Sequence, residues 1–272
     1  MPSINSPFRY AGGKFYARKL ISEHLNIPHT VYCEPFAGGG SVFFHKELAE
    51  HSILNDIDPM IALVYRVIRD NPEELIGLID GFMEPSKEAH NYYKNNYTPT
   101  NELEQAARWY YLNRISYSGI MKNDNMYFGY NTRCSMVPAN WPRNIRRVSE
   151  KMQGIEVRND DFEAVINEMP DGALLFLDPP YFNADQDKFY THFFSREDHL
   201  RLCDVIHRNY HRLHIFITYD NCEEIKRMYD WEGMNFYDQE WNYCISRTDD
   251  QVNHTDVKGT RKKGKELFII NY

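Results

Sequence analysis

The chain has 272 residues, a hydrophobic content of 42% and a formal net charge of −8. This length suits one large α/β domain, or a core with a smaller insert, and the hydrophobic fraction supplies enough side chains for a real core. The acidic balance argues against a protein that coats nucleic acid without specificity, and no apolar run approaches the roughly 18 residues of a membrane span.

The cysteine and histidine patterns predict neither a disulfide framework nor a metal site. The five cysteines are scattered without a C-x-x-C pair, which fits a reducing cytoplasm. The polar start of the chain is not typical of a signal peptide, so we expect a cytoplasmic protein without a membrane anchor. Several histidines recur at helical spacing among Arg and Asp residues and are interpreted as surface residues: His199, His207, His211 and His214.

The first segment, residues 1–22, contains basic residues but no acidic residue. Gly12 and Gly13 allow a tight backbone turn, and Lys14 lies at the predicted start of a helix that extends to Ile21. A lysine beside exposed backbone amides is suited to a carboxylate or a phosphate, and Tyr10 could cover a ring or a sulfonium. A capped surface helix with a basic face is the alternative interpretation.

The second segment, residues 30–48, is typical of a strand, a glycine-rich turn and a helix. The turn contains consecutive glycines at 38–40, but position 43 is Phe43, where a dinucleotide-binding G-x-G-x-x-G motif has its third glycine. A triple glycine at the first strand–helix turn still lets a nucleoside and its tail approach closely.

An acidic residue ends the second predicted strand, which covers residues 52–56. Asp56 is placed to accept hydrogen bonds from both ribose hydroxyls, whereas Asp58 is predicted to cap a helix that begins at Pro59. A glycine turn followed by this acid indicates an adenosine-containing cofactor. The pattern does not separate a nicotinamide dinucleotide from S-adenosylmethionine.

Helical patterns cover residues 59–69 and 72–82, and the alternation of strands and helices then stops between residues 84 and 154. This insert is rich in aromatic residues, and its second half carries basic residues opposed by few acidic ones. Aromatic and basic residues interleaved in this way favour a segment that recognises nucleic acid. The alternative is a small helical subdomain bearing solvated arginines. Within the insert we predict a helix over 101–113 and a loop or hairpin tip over 123–129.

The alternation of strands and helices resumes with a third predicted strand, which begins near residue 154 and ends at Asp161 and Phe162. In this position Asp161 could accept an adenine N6 amine while Phe162 covers the ring. A fifth strand is predicted over 213–219. The last two strands are expected near 241–246 and 266–272, separated by a basic loop over 258–265 that is either a phosphate clamp or a solvated loop.

The fourth predicted strand, residues 173–177, is a short apolar run typical of a strand buried on both faces. Pro179 and Pro180 lack the N–H of a ladder, so the strand must end at Asp178. Its carboxyl end presents a carboxylate, rigid carbonyls and the ring of Tyr181, at the edge where open α/β sheets place ligands. This set suits a flat ring bearing an exocyclic amine; a capping aspartate before a Pro-Pro turn is the alternative.

Taken in order, these motifs resemble the adenine-specific DNA methyltransferases of the Dam type. That family has a Gly-Gly-Lys segment, a Pro-Phe-x-Gly-Gly turn, an acid after strand two, a target-recognition insert and an Asp-Pro-Pro-Tyr motif. Here they stand at residues 9–14, 34–40, 55–56, 84–154 and 178–181, and residues 265–272 are similar to the closing strand. Residues 125–131 replace the Asn-Val-Pro-Phe-Gly stretch typical of GATC readers, so a GATC site is not implied.

The resemblance implies a seven-stranded, Rossmann-like α/β core that binds S-adenosylmethionine. Residues 1–83 and 155–272 would form the catalytic domain, and residues 84–154 a mainly helical target-recognition domain. The implied catalytic residues are Asp178, Pro179, Pro180 and Tyr181. The implied cofactor-binding residues are Tyr10, Lys14, Phe36, Gly38, Gly40, Asp56, Asp161, Phe162 and Asp178, with Tyr10 and Lys14 at the methionine tail. The implied DNA-binding residues are Arg114, Lys122, Asn123, Arg133 and Arg143.

The implied reaction is methyl transfer from S-adenosylmethionine to N6 of an adenine flipped out of double-stranded DNA. Asp178 and the Pro179 carbonyl would hold the amine while Tyr181 stacks on the base. The alternatives with the same chemistry are an N4-cytosine methyltransferase and an RNA or protein-amide methyltransferase. A noncatalytic DNA-binding protein that kept the fold is the alternative from another class, followed by a dehydrogenase. We expect a monomer, with a cognate restriction endonuclease as a genetic rather than a physical partner.

Overall fold

The computed structural model describes residues 4–131, 135–184, 186, 191–242 and 263–272, which contain a seven-stranded mixed sheet. The strands are β1 (Val31–Glu34), β2 (His51–Asn55), β3 (Glu156–Arg158), β4 (Leu174–Leu177), β5 (His214–Asp220), β6 (Asn235–Asn242) and β7 (Lys263–Ile270). Their spatial order is β3-β2-β1-β4-β5-β7-β6, and β7 runs antiparallel to both of its neighbours while the other pairs are parallel. The predicted seven-stranded α/β core is confirmed.

Helices cover both faces of this sheet. They are α1 (Arg18–His24), α2 (Pro59–Asp70), α3 (Pro72–Asp80), α4 (Lys87–Asn95), α5 (Glu102–Ile115), α6 (Trp141–Met152), α7 (Phe162–Glu168), α8 (Arg196–Asn209) and α9 (Glu223–Met228). Alternate residues of each strand point to opposite faces. Phe176 of β4 accordingly packs in a cluster with α1, α2, α5 and α6, whereas Leu175 and Leu177 pack in a second cluster with α7, α8 and α9.

The first and fourth strands are neighbours at the centre of the sheet, with Tyr32 paired to Leu174 and Cys33 to Leu175. From this pair the chain continues outward through β2 and β3 on one side and through β5 on the other. The order therefore reverses between β1 and β4, and an open α/β sheet binds ligands at the carboxyl ends of its strands at such a point. The glycine turn and Asp178 directly follow these two strands.

The structure corrects three local predictions. The sixth strand begins at Asn235 rather than near residue 241. It is an edge strand that, among the described strands, pairs with β7 alone, and its mostly polar sequence contains no continuous apolar run that would have indicated it. Residues 41–45 form consecutive turns instead of a helix, and α1 begins only at Arg18, after a turn over 15–17. Residues 243–246 of the predicted strand and 258–262 of the basic loop lie outside the described residues, and 263–265 belong to β7.

One histidine interpreted as a surface residue is instead part of the core. His199 is 2% exposed, and its Nδ1 lies 2.8 Å from the Tyr219 hydroxyl. Burial lowers the pKa of His199 to about 4, so the ring is neutral at physiological pH. This histidine fixes α8 against β5 and has a structural rather than a metal-binding environment.

The helices of the predicted insert share a core with the helices that precede it. Buried α5 residues, among them Tyr110, Tyr111 and Ile115, lie in the same cluster as α2 and α3, and Trp141 and Ile145 of α6 join them. Most large aromatic residues of the insert are therefore packing residues. The division of the chain into two domains stays a prediction.

No helix within the described residues has both the length and the apolar character needed to cross a membrane.

Candidate active site

A cavity of about 260 Å³ opens at the carboxyl ends of β1 and β4. Five segments of the chain line it: the Gly-Gly-Lys segment, the glycine turn, the acids after β2, the Asp-Pro-Pro-Tyr motif and the stretch before α8. The predicted site residues among its lining are Tyr10, Lys14, Phe36, Gly38, Gly40, Asp56, Asp178, Pro179, Pro180 and Tyr181. Motifs separated by more than a hundred residues of sequence thus meet in one cavity.

The carboxylate of Asp178 is held by two side chains. Lys14 Nζ lies 2.6 Å from Asp178 Oδ1 and 2.8 Å from Oδ2, and the Thr218 hydroxyl donates to Oδ1 at 2.7 Å. The Asp178 side chain is 20% exposed, so it remains accessible from the cavity. A fixed, partly solvated carboxylate at the tip of a strand is an acceptor ready for an incoming amine.

The position of Lys14 revises the role predicted for it. Its ammonium group donates to the Gly12 carbonyl and to Asp178 Oδ2, and it also lies 2.6 Å from Asp178 Oδ1. In this arrangement the main charged partner of Lys14 is the Asp178 carboxylate of the protein itself, rather than the carboxylate of a methionine tail. Burial lowers the pKa of Lys14, but the Asp178 carboxylate, Glu266 and the hydrogen bond outweigh it, so the net pKa is raised and the side chain stays charged.

Tyr181 lies next to this ion pair. Lys14 Nζ is 4.8 Å from the centroid of the Tyr181 ring, and the ring also approaches Tyr219 at 6.4 Å. The side chain is half-buried and lines the cavity. An aromatic face and a carboxylate therefore border the same space, which is the arrangement that a planar base with an exocyclic amine requires.

The glycine turn is shaped around Tyr10 as well as around the cavity. Gly38 has φ +45°, and a Cβ at this position would lie 2.8 Å from the Tyr10 ring. Gly40 has φ +62°, and a Cβ there would lie 2.9 Å from both the Phe44 ring and the Tyr65 hydroxyl oxygen. Only glycine satisfies both the left-handed backbone and the close contact.

The acid after β2 is oriented toward the glycine turn. Asp56 is 8% exposed, and its two oxygens accept hydrogen bonds from Gly38 N (2.8 Å) and Asp58 N (2.9 Å). Burial raises the pKa of Asp56 to about 7 against the effect of these two hydrogen bonds. Asp58 caps α2 by accepting from Met60 N, as predicted, and its other oxygen accepts from the Thr191 hydroxyl.

Two predicted cofactor residues are not brought to the cavity lining. Asp161 caps α7 and makes a two-pronged ion pair with Arg201, at 2.8 and 2.9 Å. Phe162 is buried behind Phe36, with ring centroids 5.5 Å apart, and is covered on its other side by the Arg201 guanidinium at 4.3 Å. A cap followed by an aromatic residue has the same sequence pattern as an adenine-binding pair, so the sequence could not distinguish them.

Some cavity residues were missed by the sequence-based reasoning. Glu34 ends β1 inside the cavity and accepts from the Tyr32 hydroxyl at 2.7 Å; burial raises its pKa to about 8. Residues 191–194 border the cavity from the side of α8. The acid at the end of the first strand was a usable signal for Glu34, whereas residues 191–194 carry no motif.

Comparison with known proteins decides which family has this combination of fold and site. A model of the D12 class of N6 adenine-specific DNA methyltransferases matches residues 10–245. The chain belongs to this family. It acts on DNA, and its reaction needs a methyl donor.

Three relatives illustrate the range of this similarity. The Type II methyltransferase M1.LlaDCHI of Lactococcus lactis subsp. cremoris is 31% identical over 217 residues, which cover 73% of this chain and 75% of that protein. The Type II methyltransferase M.CviBI of Paramecium bursaria Chlorella virus NC1A is 24% identical over 258 residues, 92% of this chain and 96% of that protein. The DNA N-6-adenine-methyltransferase of Escherichia phage P1 is 27% identical over 247 residues, which cover 84% of this chain and 31% of that protein.

In this DNA methyltransferase, the predicted DNA-binding residues occupy different environments. Arg114 is only 5% exposed on α5, and burial lowers the pKa of its guanidinium. Asn123 is exposed in the short 3-10 turn Asn123–Asn125, Lys122 next to it is half-buried, and Arg143 is exposed on α6. Arg133 lies outside the described residues.

Other basic side chains of the insert are used within the protein. Arg108 donates to the carbonyls of Tyr93 and Lys94, and Arg146 pairs with Glu73 at 2.7 Å. Lys151 is buried and donates to the carbonyls of Phe44 and Lys46. Basic composition alone therefore overestimated the surface that this methyltransferase can offer to DNA.

Replacing Gly129 by alanine should disrupt the loop over 117–128, which is closed by the bridge between Ser116 and Phe128. A Cβ at Gly129 would lie 2.3 Å from the Tyr117 Cα, a backbone atom that cannot move aside. We expect a loss of about 1–3 kcal/mol in the free energy of unfolding, and weaker DNA binding in a fluorescence anisotropy titration.

Gly77 on α3 provides the matched control, because a Cβ there meets nothing within 4 Å. Gly77→Ala should leave DNA binding unchanged and stabilise the helix slightly. Wild-type DNA affinity and melting temperature in Gly129→Ala would contradict the role of this loop.

Proposed function

We propose that this methyltransferase transfers a methyl group from S-adenosylmethionine to N6 of an adenine that is flipped out of double-stranded DNA. The observation that carries the proposal is the carboxylate of Asp178. It follows the central strand β4, it is fixed by Lys14, and it borders one cavity together with the ring of Tyr181 and the glycine turn. No catalytic metal is part of the proposal.

The residues around the cavity fit S-adenosylmethionine. The glycine turn packs closely against Tyr10 and lines the cavity with it, and Asp56 lies where its remaining lone pairs can accept from ribose hydroxyls. Phe36 and Tyr10 offer aromatic surface at the same cavity. When bound, this cofactor supplies an activated methyl group on a sulfonium. Asp161 and Phe162 lie behind this surface, so we assign them to positioning Phe36 rather than to direct contact.

The protein's own part of the reaction is to bind and orient the exocyclic amine of the adenine. The exocyclic nitrogen of adenine is a weak nucleophile, because its lone pair is delocalised into the ring. Asp178 and the Pro179 carbonyl can each accept one of its N–H bonds, which favours a tetrahedral nitrogen with its lone pair exposed. Tyr181 stacks on the base and offsets part of the few kcal/mol needed to flip it.

The proposed partner is duplex DNA, contacted by the insert through exposed side chains such as Asn123 and Arg143. A monomer suffices for this proposal, since five described segments of a single chain already line the cavity. Because two relatives are named Type II methyltransferases, we propose a cognate restriction endonuclease as a genetic partner. A DNA substrate and cysteines scattered along the sequence support a cytoplasmic location.

The direct test is incubation with duplex DNA and a tritiated methyl donor, followed by digestion and mass spectrometry of the nucleosides. N6-methyladenine is the expected product; N4-methylcytosine or the absence of any methylated base would contradict the proposal. Methylation-aware sequencing of DNA from cells that express the protein would then identify the recognition sequence.

The affinity for the cofactor should depend on pH through Asp56. Burial raises the pKa of this carboxyl to about 7, and ribose hydroxyls need the ionised form as acceptor. We therefore expect calorimetric affinity for S-adenosylhomocysteine to weaken as the pH falls from about 8 to 6, by at most about tenfold per pH unit. Asp56→Asn should bind about tenfold more weakly at pH 8 and lose this pH dependence. An unchanged affinity in Asp56→Asn would place the ribose acceptor elsewhere.

A further inference from the structure

The carboxyl end of β5 lies beside the Asp-Pro-Pro-Tyr motif, and two of its side chains contact that motif. Thr218 contacts the first residue of the motif, and Asp220 contacts the backbone that follows the last one. We infer that Thr218 and Asp220 are positioning residues, which together hold the catalytic loop at both of its ends. This inference rests on the proposed function, since it concerns the geometry in which Asp178 and Tyr181 receive the base.

Thr218 is aligned with Asp178 by the register of the sheet. Strands β4 and β5 are parallel with Leu177 paired to Ile217, so the next residue of each strand is brought alongside the other. Thr218 is fully buried, and its hydroxyl lies 2.7 Å from Asp178 Oδ1 and 3.4 Å from the Leu177 carbonyl. A hydroxyl has one proton, so the short contact to the carboxylate is its main hydrogen bond.

This hydrogen bond determines which oxygen of Asp178 is left for a substrate. Oδ1 receives both the Thr218 hydroxyl and Lys14, whereas Oδ2 receives Lys14 alone. A carboxylate oxygen has two lone-pair sites, so Oδ2 keeps one site for an amine and Oδ1 is filled. Thr218 therefore prevents rotation of the carboxylate and directs one acceptor into the cavity.

Asp220 supplies hydrogen bonds to the chain just beyond the prolines, which cannot donate to a neighbouring strand. Pro179 and Pro180 have no N–H, so the first backbone donors after Asp178 belong to Tyr181, Phe182 and Asn183. Asp220 accepts from Phe182 N at 2.8 Å, from Asn183 N at 3.2 Å and from Asn183 Nδ2 at 2.7 Å. Two of the three donors, and one side chain, are thus bound by a single carboxylate.

The two positioning residues stand on the same face of β5, because side chains two apart in a strand point the same way. Between their contacts lies Tyr181, which is preceded by two prolines of fixed φ and followed by Phe182, whose N–H is bound by Asp220. The loop is consequently held in one shape before DNA arrives. Such preorganisation is what a reaction that depends on the orientation of an amine requires.

The test for Thr218 uses an isosteric pair of variants. Thr218→Val removes the hydroxyl and keeps the shape, and we expect the single-turnover rate of methyl transfer to fall about 10- to 100-fold. The KM for DNA and the affinity for S-adenosylhomocysteine should stay within about threefold of wild type, because no binding contact is removed. Thr218→Ser should restore the rate to within about threefold of wild type. A valine variant with the wild-type rate, or a serine variant as slow as valine, would overturn the role of Thr218.

The test for Asp220 follows the loop directly. Asp220→Ala should speed hydrogen exchange at the amides of Phe182 and Asn183, and it should change the fluorescence of a duplex carrying 2-aminopurine at the target adenine. Asp238→Ala on β6 is the matched control, since this exposed aspartate contacts Lys226 at 3.4 Å and no residue of the loop. Unchanged hydrogen exchange at these amides in Asp220→Ala would overturn the positioning role of Asp220. The exchange measurement needs no methyl transfer, so it stays decisive even if wild-type protein methylates no DNA, a result that would remove the proposed function instead.

Discussion

Replacing Asp178 by alanine is expected to lower the single-turnover rate of methyl transfer by about 10²- to 10³-fold. The carboxylate is the fixed acceptor at the tip of β4, and Thr218 and Lys14 hold it in place. Without it, the Pro179 carbonyl alone would orient the amine of the base. The measurement is transfer of a tritiated methyl group to the recognition sequence at saturating cofactor.

A loss of activity in this variant must be separated from a loss of fold. Lys14 is only 5% exposed, and removal of Asp178 would leave its charge buried without the carboxylate that now pairs with it. Breaking a buried pair in this way costs about 3–5 kcal/mol of stability. We therefore expect a lower melting temperature in Asp178→Ala, and a substantial recovery in the double variant Lys14→Met/Asp178→Ala.

Asp178→Asn is the sharper control, because it keeps the shape of the side chain and one acceptor oxygen. It should fold with a smaller loss of stability than alanine and still transfer methyl groups much more slowly than wild type. A folded asparagine or alanine variant with the wild-type transfer rate would remove Asp178 from the proposed reaction. Recovery of stability without recovery of activity in the double variant would separate the two roles of the carboxylate.

The central features of the fold could be read from the sequence because each has a local physical cause. Two prolines must end β4 at Asp178, and a left-handed turn after β1 requires glycines at 38 and 40. An aspartate before Pro59 is a strong helix-start signal, and it does cap α2. These constraints act within a few residues, so the sequence contains all the information needed.

The missed contacts all depend on pairings between distant parts of the chain. Nothing near Arg114 indicates that the second half of α5, residues 109–115, is buried on every side, and nothing near Asp161 indicates that Arg201 will bind it. The interaction between Thr218 and Asp178 follows from the register of β4 and β5, which appears only once the sheet is assembled. The sequence therefore predicts which residues can do chemistry better than it predicts what each of them touches.

Lys14 is the residue for which sequence and structure give opposite expectations, so its replacement is informative. The resemblance to the family assigns it to the methionine tail of the cofactor, whereas its ammonium group contacts Gly12 and Asp178 in the structure. If the role of Lys14 is to hold Asp178, as its contacts indicate, Lys14→Met should slow methyl transfer about 100-fold. Asp178 would lose the cation that contacts both of its oxygens. The affinity for S-adenosylhomocysteine should then change by less than about threefold.

The stability of the same variant provides an independent measurement. The pKa of Lys14 is raised in the folded protein, so the stabilisation it contributes is fully present below the unfolded value of about 10.4. This contribution is lost as the pH rises through the higher folded value. The difference in unfolding free energy between wild type and Lys14→Met should therefore stay constant from neutral pH to about pH 10 and shrink above it. The opposite outcome is a Lys14→Met variant that binds S-adenosylhomocysteine more than tenfold more weakly but transfers methyl groups normally at saturating cofactor. That result would assign Lys14 to the cofactor tail and leave Thr218 as the main support of the catalytic carboxylate.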